Sequence, residues 1–264
     1  MKCIQHIIGF FLLLMFTDAT SQTVTLDYYF NHEFRASKNG TRERFHYTWE
    51  DTTNSGYSIW GNIFRKNGMI TVSLEAAPTL ENLEKSDIYI IVDPDTKKET
   101  SSPNYIESKD IKVISDWVKK GGVLVMLAND SANVELQHFN KLAGAFGIKF
   151  NSDDRNLVDG ENFEMGALKI SANNPIFTTA RKIYLKEICT LSVKNPAKAV
   201  LTDNGDVIMA VSKYGRGTVF ALGDPFIYNE YCNGRLPPSF DNDKAADDLC
   251  KWLKRKAEKH FGAR

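Results

Sequence analysis

Carboxylates, amides and aromatic rings follow four of the apolar runs that predict buried strands. The carboxylates that are candidate acids or bases are Asp93, Asp130, Asp224 and Glu230. The full set of candidate ligand-binding residues is Asn31, Glu33, Tyr47, Trp49, Asp93, Asp95, Asn129, Asp130, Asp224, Tyr228, Asn229 and Glu230. Ligands of open α/β sheets bind beyond the carboxyl ends of the strands, so the sequence predicts a polar pocket there. Because Asp and Asn also favour turns, a purely conformational role is the alternative for each residue taken singly.

Paired carboxylates suit glycoside hydrolysis, which needs one acid and one base or nucleophile at a suitable separation. A nucleophile elbow is missing, because the run "VLVML" continues as "ANDSA" without G-x-S-x-G or G-x-C-x-G. The histidines lack the H-x-H and H-E-x-x-H spacings of zinc sites. No G-x-x-x-x-G-K-[ST] loop for nucleotide phosphates occurs either. The sequence therefore predicts no cofactor and no metal site, and leaves open a hard cation at the strand-end carboxylates.

Aromatic side chains lie next to acidic ones in the polar stretch 35–55. Tyr47 and Trp49 stand there, directly before Glu50 and Asp51. Sugars suit such surroundings, because their C–H faces stack on rings while their hydroxyls form hydrogen bonds. Core packing is the alternative, and helical spacing alone explains the nearby rings that follow Ser55.

Strands alternate with helices along most of the chain, which predicts an α/β fold with a mainly parallel sheet covered on both faces. The predicted strands are Val24 to Phe30, "MITVSLE", "DIYIIVDPD" and "VLVMLAND". The predicted helices run from Ser55, as N-cap, to Gly68, over Leu80–Lys85 as a short turn, from Ser108 to Gly121, and over 133–146.

The second half of the chain has a different pattern. Residues 151–175 are polar and acidic and predict a solvated insertion. The turn sequences "DNGD" (203–206) and "YGRG" (214–217) predict antiparallel hairpins. An amphipathic helix is predicted from Asp241 to about His260. We expect an antiparallel C-terminal extension of the sheet.

The chain has 264 residues, with 33 basic and 33 acidic side chains and a formal net charge of +0. That balance argues against a nucleic-acid partner. Residues 1–21 have the pattern of a secretory signal, with Lys2, an apolar run from Ile7 to Phe16, and small residues before Gln22. The run is too short to span a bilayer, and no later stretch is long enough. We expect one domain over 22–264 in an exported protein, periplasmic or secreted, without a membrane span.

The cysteines that remain after the signal are Cys189, Cys232 and Cys250. Their odd number and wide spacing indicate neither a disulfide framework nor a metal site. Cys189 lies in a strand-like run and Cys250 on a predicted helix. Buried thiols are the expected state.

The stretches "LDYYFNHEF", "YTWEDTTNSGYS", "IYIIVDPD", "GGVLVMLAND" and a final block from Gly215 to Leu253 together resemble one family. They are similar to the class I glutamine-amidotransferase-like domains of exported Bacteroidetes-type proteins, over nearly the whole chain after the signal. Such domains often occur beside, or fused to, unsaturated glucuronyl or rhamnogalacturonyl hydrolases. The resemblance implies a flavodoxin-like three-layer sandwich and a role in polysaccharide use. The elbow cysteine and His-x-Glu pair of amidotransferases are absent, so it does not imply glutamine hydrolysis.

Three functions are consistent with these observations. The first is an exported carbohydrate-binding or accessory protein of polysaccharide utilisation with a catalytically degenerate amidotransferase-like fold. The second is a hydrolase or lyase that acts on acidic, uronic-acid-containing or rhamnogalacturonan-like oligosaccharides through the strand-end carboxylates. The third is a docking module for a glycan-degrading enzyme. The expected partners are accordingly an oligosaccharide or polysaccharide fragment and, in the third case, that enzyme.

Overall fold

The computed structural model describes residues 21–258. Its strands are β1 (Thr23–Asp27), β2 (Phe34–Ala36), β3 (Arg42–Arg44), β4 (Ile70–Leu74), β5 (Ile88–Val92), β6 (Val123–Leu127), β7 (Ile148–Phe150), β8 (Ala167–Lys169), β9 (Lys182–Tyr184), β10 (Leu191–Val193), β11 (Ala197–Asp203), β12 (Asp206–Tyr214) and β13 (Gly217–Leu222). Its helices are α1 (Ser58–Lys66), α2 (Leu80–Leu83), α3 (Ser108–Lys120), α4 (Leu136–Ala145), α5 (Asn229–Cys232) and α6 (Asn242–Glu258). The predicted signal segment lies almost wholly outside the described residues.

The centre of the main sheet is parallel, in the spatial order β4-β1-β5-β6-β13. Numbered by their appearance along the chain, these strands follow the order 2-1-3-4-5, which is the flavodoxin-like arrangement. The predicted fold class is therefore confirmed. The chain leaves β1 for β4 on one side and returns to β5 on the other, so the strand order reverses between β1 and β5.

Helices cover both faces of the sheet. Successive side chains of each strand point to opposite sides, so each central strand contributes to two cores. Ile88, Ile90 and Val92 of β5 belong to one core, together with residues of α1 and α6 such as Trp60 and Leu249. The intervening β5 residues, including Tyr89 and Ile91, belong to a second core with α3 and α4. This alternation explains why the whole of β5 is buried, as its continuous apolar run predicts.

The predicted antiparallel extension follows β13. Strand β12 pairs antiparallel with β13, and β10, β11 and β7 continue the sheet in antiparallel fashion. In the turn between β11 and β12, Asn204 (φ 50°) and Gly205 (φ 92°) both adopt the left-handed backbone of a two-residue hairpin turn. Both hairpin predictions are thus confirmed.

Three predicted element boundaries differ from the structure. The first strand ends at Asp27 rather than Phe30, because the Asp27 carboxylate accepts the backbone N–H of Phe30 (2.8 Å) and bends the chain there. Helix α1 begins at Ser58, and Ser55 does not cap it. The helix predicted over 133–146 begins at Leu136, after a turn. The last helix is described up to Glu258, so the prediction to His260 extends beyond the described residues.

The predicted insertion at 151–175 is only partly a solvated loop. It carries exposed acidic side chains, but Leu168 and Ile170 are buried in the core on the α1 and α6 side. Arg155 ties it to the hairpin of β11 and β12 through Asp206 (2.9 Å) and through Asp203. Strands β8 and β9 pair antiparallel beside it. The segment is therefore a small ordered unit despite its polar composition.

Within residues 21–258 there is no helix with the length and apolarity needed to cross a membrane. Cys189, Cys232 and Cys250 are free. Cys189 and Cys250 are buried and Cys232 is half-buried, so the predicted thiol state is confirmed for the first and last. Burial raises the pKa of Cys232 and of Cys250 to about 12, which keeps both protonated.

Candidate ligand-binding site

The polar residues that follow β1 and β5 meet at the point where the strand order reverses. The Asn31 Nδ2 donates to the backbone oxygen of Asp93 (3.3 Å), and the backbone N–H of His32 donates to Asp95 Oδ2 (2.9 Å). We call the group formed here the switch-point cluster; its members are Asn31, Glu33, Tyr47, Asp93, Asp95 and Glu99. Ligands of doubly wound folds bind at this point of the sheet. Five of the six members were predicted from the strand ends and the aromatic loop. Glu99 was not predicted.

Three buried acceptor oxygens in the switch-point cluster have no hydrogen-bond partner. They are Oδ1 of Asn31, Oδ1 of Asp93 and Oδ1 of Asp95. The three residues are 1%, 6% and 2% exposed. Each unsatisfied buried polar group costs about 1–3 kcal/mol, so most native cores avoid them. Three in one cluster mark a place where hydrogen-bond donors are missing.

Burial favours the protonated form of the two aspartates of the cluster. Desolvation raises the pKa of Asp93 well above its ordinary value, and the nearby Glu99 carboxylate raises it further, while the Tyr47 hydroxyl partly offsets the effect. Desolvation raises the pKa of Asp95 to about 8, against the lowering effect of the His32 N–H. At neutral pH the Asp95 carboxyl is therefore mainly neutral, and burial favours the same form of Asp93. A neutral carboxyl presents an O–H donor as well as an acceptor oxygen.

The backbone around the cluster is strained. His46 (φ 59°), Tyr47 (φ 47°) and Asp93 (φ 46°) all adopt the left-handed conformation, which costs about 1–3 kcal/mol for a residue other than glycine. The His46 Nδ1 contacts Glu33 Oε1 at 2.6 Å, and the His46 ring stacks on the Tyr47 ring. This arrangement holds Tyr47 against Asp93. Strain of this kind concentrates at functional sites.

A row of tyrosine rings connects the switch-point cluster to Asp224, which follows β13. The row consists of Tyr57, Tyr47, Tyr228, Tyr231 and Tyr184, whose successive ring centroids are 5.4, 6.1, 4.7 and 4.8 Å apart. Asp224 is 1% exposed and accepts the backbone N–H of Lys186 at 3.1 Å. Burial raises the pKa of Asp224 well above its ordinary value. The predicted residues Asp224 and Tyr228 are thus joined to Asp93 through tyrosines.

The predicted pair Asn129 and Asp130 forms a turn. Asp130 accepts the backbone N–H of Ala132 (2.8 Å) through Oδ1 and the Asn133 side chain (2.6 Å) through Oδ2. Asn129 Oδ1 accepts the backbone N–H of Asp130 at 2.9 Å. Both carboxylate oxygens of Asp130 are occupied, so the conformational alternative explains this strand end.

Two further predicted residues have structural partners. The Trp49 indole N–H donates to the backbone oxygen of Val72 (2.9 Å), and its ring packs against Tyr57 and Trp60. Trp49 is therefore a core residue rather than a sugar platform. Glu230 is half-buried and forms an ion pair with Arg235.

Asn229 supports helix α1 instead of facing a ligand. Its Oδ1 accepts the backbone N–H of Ile59 (2.9 Å), so this amide caps the helix that Ser55 does not cap. Its Nδ2 donates to the backbone oxygens of Asp51 (2.9 Å) and Thr53 (2.8 Å). The prediction that Asn229 binds a ligand is not supported, because its donors and acceptor are used inside the fold.

We expect Asn229→Ala to lower the free energy of unfolding by about 3 kcal/mol, since it removes a helix cap and leaves buried carbonyl oxygens unpaired. Urea denaturation followed by circular dichroism measures the change. Asn233→Ala is the matched control, because Asn233 is exposed and its Oδ1 accepts the N–H of the nearby Arg235 (3.0 Å). Equal loss in both variants would contradict the role of Asn229.

Two carboxylates near the switch point were not predicted. Asp27 ends β1 and accepts the Tyr89 hydroxyl (2.6 Å) through Oδ1. Desolvation raises the pKa of Asp27 to about 6. Glu99 lies in an irregular loop, where its Oε2 accepts the Thr96 N–H (2.7 Å). Asp27 lies inside the apolar run that predicts a strand up to Phe30, so it was not a candidate. Nothing in the local sequence marks Glu99 as a member of the site.

The described residues hold no group of three or more His, Cys, Asp or Glu side chains arranged to bind a metal ion. The switch-point cluster contains acids, but its oxygens do not form such a set. Its chemistry is that of hydrogen bonding by carboxyl, amide and hydroxyl groups.

Comparison with known proteins identifies one matching family and several solved structures of similar fold. No curated protein sequence matches the chain. Among solved structures, the mmIFT52 N-terminal domain is 20% identical, with a TM-score of 0.65 over 88% of this chain and 97% of that one. The cytoplasmic protein STM1381 from Salmonella typhimurium LT2 is 15% identical, with a TM-score of 0.59 over 89% and 98%. The β-galactosidase from Bacillus circulans sp. alkalophilus is 11% identical, with a TM-score of 0.51 over 92% of this chain and 31% of that one.

At these identities the solved structures show a shared fold and nothing more. The family model described as a domain of unknown function, DUF4350, matches residues 50–231, which include most of the parallel sheet, Asp93 and Asp224. On this match, the chain belongs to the DUF4350 family.

Proposed function

We propose that the chain is an exported carbohydrate-binding or accessory protein of polysaccharide utilisation, and that the switch-point cluster is its ligand site. The observation that carries the proposal is the set of three unpaired, buried acceptor oxygens on Asn31, Asp93 and Asp95. A ligand rich in hydrogen-bond donors supplies what these oxygens lack. Sugars carry such donors on every ring.

The protonation of the site favours a ligand with hydroxyl or amine donors over an anionic one. A neutral carboxyl donates one hydrogen bond and accepts others, as does a sugar hydroxyl, so the two match in pairs. Asp93 and Asp95 are in this state because burial raises the pKa of each. The tyrosine row adds ring faces and hydroxyls next to them. A uronic acid carboxylate would place another negative charge beside Glu33 and Glu99.

Tyr47 and the segment before it cover Asp93, which is only 6% exposed. A ligand that reaches the unpaired oxygens therefore displaces the His46–Tyr47 segment. The left-handed backbone at both residues makes this segment a suitable one to move, because leaving that conformation relieves strain. The half-buried Glu33 and Tyr228 lie at the rim of the same region.

The wider setting supports a role with glycans. The likeness to exported amidotransferase-like domains stays a prediction from the sequence, as do the export signal and docking to a glycan-degrading enzyme. A region of a β-galactosidase has the same fold, so this architecture occurs within an enzyme named for acting on a galactoside. These points support the proposed role in polysaccharide use.

A carboxylate-based hydrolase is the second candidate, because the tyrosine row brings Asp93 and Asp224 into one connected group. Glycoside hydrolysis needs one protonated and one ionised carboxyl. Burial raises the pKa of both Asp93 and Asp224 well above the ordinary value, which favours the neutral form of each. Two neutral carboxyls supply an acid but no base or nucleophile, so the chemistry of this pair favours binding over cleavage.

We expect thermal stabilisation of the protein from Gln22 to Arg264 by at least one oligosaccharide in a panel derived from pectin and host glycans. A ligand at a hundred times its dissociation constant stabilises the fold by about 2.7 kcal/mol, which a thermal-shift assay detects. We expect Asp93→Asn to weaken that binding about tenfold, since the amide cannot donate and accept in the pattern of a neutral carboxyl.

The control for that substitution is Glu161→Gln, which alters an exposed acid outside the cluster. Chromatography of the incubated sugars separates binding from cleavage, because products appear only if the protein is a hydrolase or lyase. Stabilisation by none of the sugars would contradict the proposal and favour the docking module.

A further inference from the structure

The acids of the switch point outnumber the bases that neutralise them. The acidic side chains here are Asp27, Glu33, Asp93, Asp95 and Glu99. Within residues 21–258, only Glu33 of this set forms an ion pair, with His46 at 2.6 Å. The nearby guanidinium of Arg44 is directed elsewhere, to Glu50 and to Glu75 (2.9 Å). The site therefore lacks positive charge.

The unpaired atoms at the site are all side-chain oxygens, and they come from two neighbouring strand ends. Asn31 Oδ1 follows β1, whereas Asp93 Oδ1 and Asp95 Oδ1 follow β5. The Asn31 amide nitrogen is already bonded to the Asp93 backbone oxygen, which fixes its Oδ1 as the free end. A ligand group that suits these oxygens brings several hydrogen-bond donors and, because acids surround the site, a positive charge.

A primary ammonium group has both properties. It carries three N–H donors, no acceptor and one positive charge. A sugar hydroxyl brings a single donor and no charge, and an N-acetyl group brings one N–H and an acceptor oxygen. We propose that the switch-point cluster binds the primary ammonium group of an amino sugar; this inference rests on the proposed carbohydrate-binding function.

The exchange on binding is balanced in charge. The ammonium group approaches Asp93 and Asp95 with its proton retained, and a carboxyl proton leaves to the buffer as the ion pair forms. No covalent bond of the sugar changes. Charge-assisted hydrogen bonds of this kind are about twice as strong as neutral ones, which gives the ammonium its advantage over a hydroxyl.

The test compares β-1,4-linked oligosaccharides of equal length that differ at carbon 2 of each ring. The three series are built from glucosamine, glucose and N-acetylglucosamine, and dissociation constants are measured by isothermal titration calorimetry at pH 6 with the protein from Gln22 to Arg264. We expect the glucosamine series to bind at least tenfold more tightly than the glucose series. We expect the N-acetylglucosamine series to bind no better than the glucose series.

Substitutions in the switch-point cluster test whether it causes the preference for glucosamine over glucose. Asp95→Asn is expected to reduce the ratio of glucosamine to glucose affinity at least threefold, while Glu161→Gln leaves the ratio unchanged. Circular dichroism checks that each variant is folded. If Asp95→Asn is not folded, the affinity ratio is measured with Asp93→Asn instead.

The outcomes separate this inference from the proposed function. Equal or tighter binding of the glucose or N-acetylglucosamine series overturns the ammonium site and leaves carbohydrate binding in place. A preference for glucosamine that persists in both cluster variants also overturns it. Absence of binding in all three series, together with no stabilisation by the wider glycan panel, overturns both.

Discussion

Asp95→Asn is expected to be more stable than the wild-type protein at pH 9, although the two are about equally stable at pH 4. Burial raises the pKa of Asp95 from 3.8 to about 8 in the folded protein. The stabilisation from a protonated Asp95 is therefore fully present below pH 3.8 and is lost as the pH rises through about 8. Asparagine cannot ionise, so the variant keeps the neutral side chain at every pH.

The size of the effect follows from the pKa difference, because one pKa unit corresponds to about 1.4 kcal/mol. Its upper limit for Asp95 is about 5 kcal/mol between pH 4 and pH 9, and relaxation of the site lowers that figure. Urea denaturation of the wild type and the variant at intervals of one pH unit measures the difference directly.

Glu161→Gln, measured in parallel, reports any general effect of removing one negative charge. A stability difference between Asp95→Asn and the wild type that stays constant from pH 4 to pH 9 would contradict a raised pKa at Asp95. The same pH series bears on ligand binding, because an Asp95 that is already ionised at neutral pH has no proton to release to an incoming ammonium group.

The parallel sheet could be predicted because its signals are local. The run "IYIIV" of β5 is apolar without a break, and both of its faces are covered by helices in the structure. The turn residues Asn204 and Gly205 likewise specify their hairpin through their own backbone preferences. Parallel strands bring their carboxyl ends to one edge of the sheet. The position of Asp93 and Asp95 at that edge could therefore be predicted from their place after β5.

The roles of individual polar side chains could not be predicted in the same way. Asn229 and Asp93 both follow buried strands, yet one caps a helix and the other has an unpaired oxygen. The difference is created by contacts across the fold, such as that of Asn229 with Ile59, 170 residues away along the chain. No local pattern encodes such a partner.

Aromatic residues show the same limit. Tyr47 and Trp49 are two positions apart in one loop, and the sequence gives both the same candidate role. In the structure Trp49 packs against Trp60 and bonds the Val72 oxygen, whereas Tyr47 covers Asp93. His46 and Tyr47 both have a left-handed backbone (φ 59° and 47°), which their residue types do not predict.

Gly223→Ala is expected to destabilise the protein by at least about 3 kcal/mol. Gly223 lies between β13 and Asp224, where the chain passes against Cys189. A Cβ atom at this position would lie 2.0 Å from the Cys189 backbone oxygen and 2.6 Å from its Sγ. The Cys189 N–H also donates to the Gly223 oxygen (3.1 Å), so the two backbones cannot separate without losing that bond. Overpacking against fixed backbone costs more than the usual 1–3 kcal/mol of a crowded side chain.

Gly144→Ala is the matched control for the same substitution. Gly144 lies in the last turn of α4, and a Cβ atom there meets nothing within 4 Å. Alanine is the better helix former, so this variant is expected to gain about 0.5–1 kcal/mol. Chemical denaturation of both variants compares the two values under one set of conditions. Gly223→Ala within about 1 kcal/mol of the wild type would mean that Asp224 is not held by this close approach, because the chain at residues 223–224 would then have room to move.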